Sequence, residues 1–165
     1  MADRLTALCA ALLFYVSLPG KDAESAFSGT WDIDKSQSTA SSELPDALQQ
    51  QIKHKKSEMV IKSKWMDRQD GVSPLVLLGV LITELKLKTD GRPANRQFGP
   101  FMTTTSTTQD GGAVVTKWQV NANGEPISSE WRRTLSPDER TMTLDIQQAL
   151  GNGKNSTAKL VFRRR

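Results

Sequence analysis

Paired turn residues recur through this chain at a spacing that leaves room only for short strands. They are Asp70-Gly71, Asp90-Gly91, Gly99-Pro100, Asp110-Gly111, Asn123-Gly124, Pro137-Asp138 and Gly151-Asn152-Gly153. Gly, Asn and Asp tolerate the positive φ of tight turns and Pro presets φ, so Asp-Gly and Asn-Gly are strong hairpin signals. Most intervals are about 9–14 residues, the strand-plus-turn repeat of an all-β sandwich or barrel. The stretches between the turns alternate. Met142, Leu144 and Ile146 share one parity, with Thr141, Thr143, Asp145 and Gln147 on the other. Ile127, Trp131 and Leu135 oppose Ser128, Glu130, Arg132 and Thr134, and Leu81, Leu85 and Leu87 oppose Glu84, Lys86 and Lys88. Period-two alternation marks antiparallel strands with one buried face.

The pattern predicts eight strands, at about 27–34, 57–67, 75–89, 95–108, 113–121, 126–135, 140–149 and 156–164. One short helix is expected between the first two. Ser41 or Ser42 can cap it, Pro45 suits its first turn, and Leu44, Leu48 and Ile52 recur every four residues. No crossover helix separates the other strands, which disfavours a parallel sheet. An eight-stranded antiparallel up-and-down barrel removes the exposed edges, and a two-sheet sandwich is the alternative. Two stretches break the alternation. The run 75–82 is apolar at every position except Gly79 and reads as a strand kinked there, a strand buried on both faces, or a lipid- or partner-facing patch. The run 103–108 is Thr or Ser throughout. It is either an ordinary surface strand or a row of hydroxyls facing a polar cavity.

Residues 1–25 differ in kind. Arg4 precedes an apolar stretch from Leu5 to Leu18, Pro19-Gly20 follow, and Ala23 and Ser25 place small residues at −3 and −1 of a cut. This is the layout of a secretory signal peptide, with an apolar core short for a membrane span. An uncleaved anchor is the other reading. The expected mature chain is a single domain at 26–165, periplasmic or secreted. The whole chain carries +4, and removal of a −1 segment leaves +5 on a chain without Cys.

Phe27-Ser28-Gly29-Thr30-Trp31 opens that domain, and its Gly-x-Trp on a first strand resembles the lipocalin and fatty-acid-binding-protein group of barrels. Lys35-Ser36, Asp90-Gly91 and the stretch from Trp131 to Asp138 are similar to small exported bacterial lipocalin-like proteins. Their usual Gly after the last Asp is Glu139 here. The resemblance implies a barrel closed by its last strand around an apolar small molecule. It also implies that the Gly-x-Trp tryptophan packs under an arginine of the final strand, either Arg163 or Arg164.

Little catalytic chemistry is open to such a chain. His54 is the only histidine and sits in Lys53-His54-Lys55-Lys56, which reads as a solvated basic run. Without a second His or a mature-chain Cys, zinc hydrolysis and Cys–His catalysis are closed. No Gly-x-Ser-x-Gly elbow, phosphate-binding loop or clustered Asp pattern for a metal is present, and no two acids stand out as a glycosidase pair. The expectation is a non-enzyme with no cofactor and no metal.

Trp31, Trp65, Trp118 and Trp131 fall on four different predicted strands. With Phe101, Met142 and Leu144 they are the candidate walls of a pocket, although each alone also reads as core. Arg133 shares parity with Trp131 and Leu135, so it either faces inward to meet an anionic head group or lies exposed near a strand end. Basic clusters allow peripheral contact with an anionic envelope surface, while export argues against a nucleic-acid partner. The expected function is non-catalytic binding of a small apolar or amphipathic ligand by an exported monomeric barrel. The alternative is a solid barrel acting as an envelope interaction or inhibitor module.

Overall fold

The computed structural model describes residues 26–41, 44–66, 83–98, 101–122, 125–150 and 153–165. Among the described residues eleven strands follow one another: β1 (Gly29–Ile33), β2 (Thr39–Ala40), β3 (Ala47–Lys55), β4 (Glu58–Met66), β5 (Glu84–Lys88), β6 (Ala94–Phe98), β7 (Phe101–Asp110), β8 (Ala113–Ala122), β9 (Glu125–Leu135), β10 (Thr141–Ala149) and β11 (Asn155–Arg164). A short 3-10 turn at Lys35–Gln37 separates β1 from β2. All pairings are antiparallel, in one strongly curled sheet of order β5-β4-β3-β1-β11-β10-β9-β8-β7-β6, with β2 also on β11. Among the described residues no helix is long and apolar enough to cross a membrane. The predicted signal segment and the apolar run 75–82 lie outside the described residues.

The all-β expectation holds, but the count of eight strands and the short helix do not. The segment expected to be helical carries β3, with the two-residue β2 before it. Leu48 and Ile52, four residues apart, fit a helical period and a strand period alike. The residues between and beyond them decide, because Leu48, Gln50, Ile52 and His54 are all buried while their odd-numbered neighbours face outward or lie part-buried. Two polar side chains on the inner row concealed the alternation. His54 is accordingly not solvated; it is 3% exposed, with its ring 6.2 Å from that of Phe27. The third difference lies in the predicted strand 95–108, which falls into two antiparallel strands, β6 ending at Phe98 and β7 starting at Phe101.

The outermost strands, β5 and β6, are not paired with each other among the described residues. The loop between them is pinned at one end of the sheet. There Asp90 bridges to Thr108, Gly91 N–H donates to the Thr107 carbonyl at 2.8 Å, and Thr89 N–H donates to the Ser57 carbonyl at 2.9 Å. The wall therefore returns on itself at that end rather than along a full ladder.

The same end is plugged by the N-terminal segment. Trp31 is fully buried, and its Nε1–H donates to the Phe27 carbonyl at 3.0 Å. Of the two candidate arginines, Arg164 takes the stacking position, its guanidinium carbon 4.4 Å from the Trp31 ring. It also donates to the carbonyls of Glu139, Ser28 and Ala26. Arg163 has the opposite parity and turns outward to Asp34 and Thr141. Gly29 explains the Gly of Gly-x-Trp: its φ is +150°, and a Cβ there would lie 3.0 Å from Arg164 Nη1. Glu139 adopts a backbone that glycine would favour, with φ +55°.

Candidate functional site

The inner face of the sheet has an apolar sector and a polar sector. One contiguous cluster joins Leu48, Ile52, Met59, Ile61, Leu85 and Leu87 to Met142, Leu144, Ile146, Leu160 and Phe162. Across from β3 and β4, strands β7 to β9 turn polar groups inward. Thr103, Thr105 and Thr107 are 5%, 3% and 2% exposed, so the hydroxyl-row reading of the threonine run is the one the fold adopts. Thr107 and Thr116 share a hydrogen bond of 3.1 Å between their hydroxyls, and Thr105 donates to the Ala94 carbonyl at 3.3 Å.

Arg133 is the centre of this sector. It lies on β9 between Val114 of β8 and Leu144 of β10 and is 1% exposed. Its Nε and Nη1 are buried without a hydrogen-bond partner among the described residues. Burial pulls its pKa down to about 10, so the side chain still carries its charge at neutral pH. The buried polar residues are otherwise Gln50, His54, Ser63 and the threonines, with no buried Asp or Glu among the described residues. The nearest compensation is aromatic. The guanidinium carbon is 5.7 Å from the centre of the Trp131 ring, which tilts against Trp118 at 4.8 Å between centroids. Trp131 Nε1–H is held by Ser129 Oγ at 2.8 Å.

The predicted site residues divide accordingly. Trp118, Trp131, Arg133, Met142 and Leu144 come together on the inner face of β8, β9 and β10. Trp31 belongs to the plugged end. Trp65 stands 43% exposed near the opposite end of β4, and Phe101 is half-buried at the start of the threonine strand. Sequence reading missed Gln50, Ser63 and Arg96. Gln50 Nε2 donates to Ser63 Oγ at 3.3 Å, while Gln50 Oε1 is buried without a partner. Arg96 of β6 shares the inner face with Thr103, and its Nε is likewise buried and unpaired. Once 47–55 is read as a strand, parity with Leu48 and Ile52 places Gln50 inside.

Three surface hollows of about 320–420 Å³ are present, and the one of about 420 Å³ borders the candidate site, with Trp118 and Ser129 in its lining. Outward side chains such as Lys117, Glu130, Arg132 and Asp145 line two of them, and the third lies beside Asp32, Gln49 and Lys64. Among the described residues no group of three or more His, Cys, Asp or Glu could hold a metal ion.

No protein-family profile matches the chain, and no curated protein matches it in sequence. Solved structures do resemble it. A secretory abundant heat soluble protein of Ramazzottius varieornatus aligns with a TM-score of 0.53 at 9% identity, over 85% of this chain and 96% of that one. Secretory abundant heat soluble protein 4 of the same organism aligns at 0.51 and 12% identity, over 86% and 96%. Zebrafish ileal bile acid-binding protein, solved with cholic acid, aligns at 0.50 and 11% identity, over 86% of this chain and all of that one. At such identities the likeness is one of backbone. The chain shares the curled antiparallel fold of these solved structures.

Proposed function

We propose that this protein binds a small amphipathic anion inside the curled sheet, head group at Arg133 and apolar tail along the cluster of β10, β11, β3 and β4. The carrying observation is a guanidinium buried without a buried carboxylate or a complete set of hydrogen bonds. An unpaired buried charge is costly, and the cost is offset when an anion supplies the missing acceptors. Guanidinium matches carboxylate or sulfate geometry through parallel N–H donors. The tail adds about 0.8 kcal/mol for each methylene removed from water. Trp118 and Trp131 give the head-group region flat walls, and the reaction class is binding without chemical turnover.

Displacement of an anionic fluorescent probe by stearate and by methyl stearate tests this. Two charge-assisted hydrogen bonds are worth a preference of roughly ten- to a hundredfold for the acid, and Arg133→Met removes it. Equal binding of acid and ester, or a preference that survives in Arg133→Met, contradicts the assignment. Absence of any binding returns weight to a solid interaction module.

Export is part of the proposal. Arg164 bonds the Ala26 carbonyl, so barrel packing is under way at the first residue after the expected cut. N-terminal sequencing of protein from the native host should begin at Ala26; a retained Met1 refutes processing there.

A further inference from the structure

We propose that Gln50 makes the interior selective for hydroxylated anions over plain ones, an inference that rests on the ligand reading above. Gln50 is 1% exposed on the inner row of β3, and only one end of its amide is satisfied. As placed, Nε2 donates to Ser63 Oγ and Oε1 is left as a buried acceptor. Turning the amide over would let Oε1 accept from the Ser63 hydroxyl and leave the NH2 group unpaired instead. Either way one polar group on this wall lacks a partner, and leaving it so is unfavourable. An alkyl tail passing Gln50 leaves that cost in place. A hydroxyl removes it in both orientations, because it donates and accepts.

The position of Gln50 sets what such a ligand looks like. β3 and β9 are four places apart around the sheet, so Gln50 and Arg133 address different parts of one molecule. Between them the inner rows of β1, β11 and β10 present Trp31, Leu160, Phe162, Met142 and Leu144, with Arg164 stacked on Trp31 at the plugged end. The match is an anion whose body is apolar and whose hydroxyl stands away from the head group. Ser63 holds the amide and so acts as the positioning residue.

The probes are stearate and a set of monohydroxystearates substituted at carbons 3, 9, 10 and 12, each titrated by calorimetry into wild type, Gln50→Leu and Gln50→Met. The wild type should bind at least one hydroxy isomer about three- to tenfold tighter than stearate, the worth of one net hydrogen bond. Both variants should still bind stearate and should lose the preference for the hydroxy isomer. Far-UV circular dichroism and a melting curve show whether each variant is folded, and two apolar replacements guard against one failing. No isomer preference in the wild type overturns the role of Gln50 while the Arg133 assignment stands. A preference retained in both variants overturns it also. Binding of neither stearate nor its hydroxy forms removes the underlying reading, and this one with it.

Discussion

At Gly29 a backbone torsion and the close approach of a side chain demand the same residue. Its φ of +150° is one that L-residues rarely adopt, and a Cβ there would crowd Arg164 Nη1 at 3.0 Å. Gly29→Ala should cost roughly 1–3 kcal/mol, read from chemical denaturation, and should loosen the Arg164–Trp31 stack. A variant as stable as wild type contradicts the account of this end. Arg164 and Arg133 show how differently one residue type can be buried. Arg164 gives hydrogen bonds to three carbonyls over an indole, whereas Arg133 has the indole and unpaired nitrogens. The first arrangement stabilises an empty protein; the second is suited to a ligand. Parity made Arg133 a candidate from sequence, through Trp131 and Leu135. It could not decide burial, which depends on β8 and β10 covering β9 on both sides.

Strand β3 marks the limit of what patterning reveals about an element. β8, β9, β10 and β11 were legible because their inner rows are mostly apolar and their outer rows polar. The inner row of β3 is Leu48, Gln50, Ile52 and His54, and half of it imitates a surface. The threonine strand β7 is the reverse case: polar on both faces, it offered no parity, and pairing with β6 and β8 fixed which hydroxyls turn inward. Gln51 separates the strand and helix readings of residues 47–55 by experiment. It is exposed, pairing with Thr30 and Lys62 on the two neighbouring strands. Gln51→Val should stabilise a strand by up to about 1 kcal/mol, whereas a helix at that position would lose stability. Thermal melting decides, and a lowered midpoint contradicts the assignment of β3.

In the whole molecule the sheet gathers buried polar groups on β7 to β9, plugs one end, and leaves β5 and β6 unpaired with each other among the described residues, joined only by their pinned loop. Composition excluded multi-histidine chemistry, and the turn ladder predicted the class of fold. The polarity of the interior was hidden because it depends on register across ten neighbouring strands. Burial lowers the Arg133 pKa to about 10, so between that pH and its ordinary value the folded chain binds fewer protons there than the unfolded chain. In that window stability gains from rising pH at this site, because the buried charge is being lost. The stability gap between Arg133→Met and wild type should therefore narrow above pH about 10, as measured by urea unfolding. A gap constant from pH 7 to 11 would contradict the lowering of the Arg133 pKa by burial.

The central claim is most directly tested by melting wild type and Arg133→Met, each with and without saturating stearate. Free of ligand, Arg133→Met should melt a few degrees higher, since an unpaired charge is replaced by apolar volume. Stearate should raise the wild-type midpoint well above that of the variant, whose own shift stays small. A ligand-free variant that melts below wild type, or equal stearate shifts in both proteins, would contradict the assignment of Arg133 as an anion site.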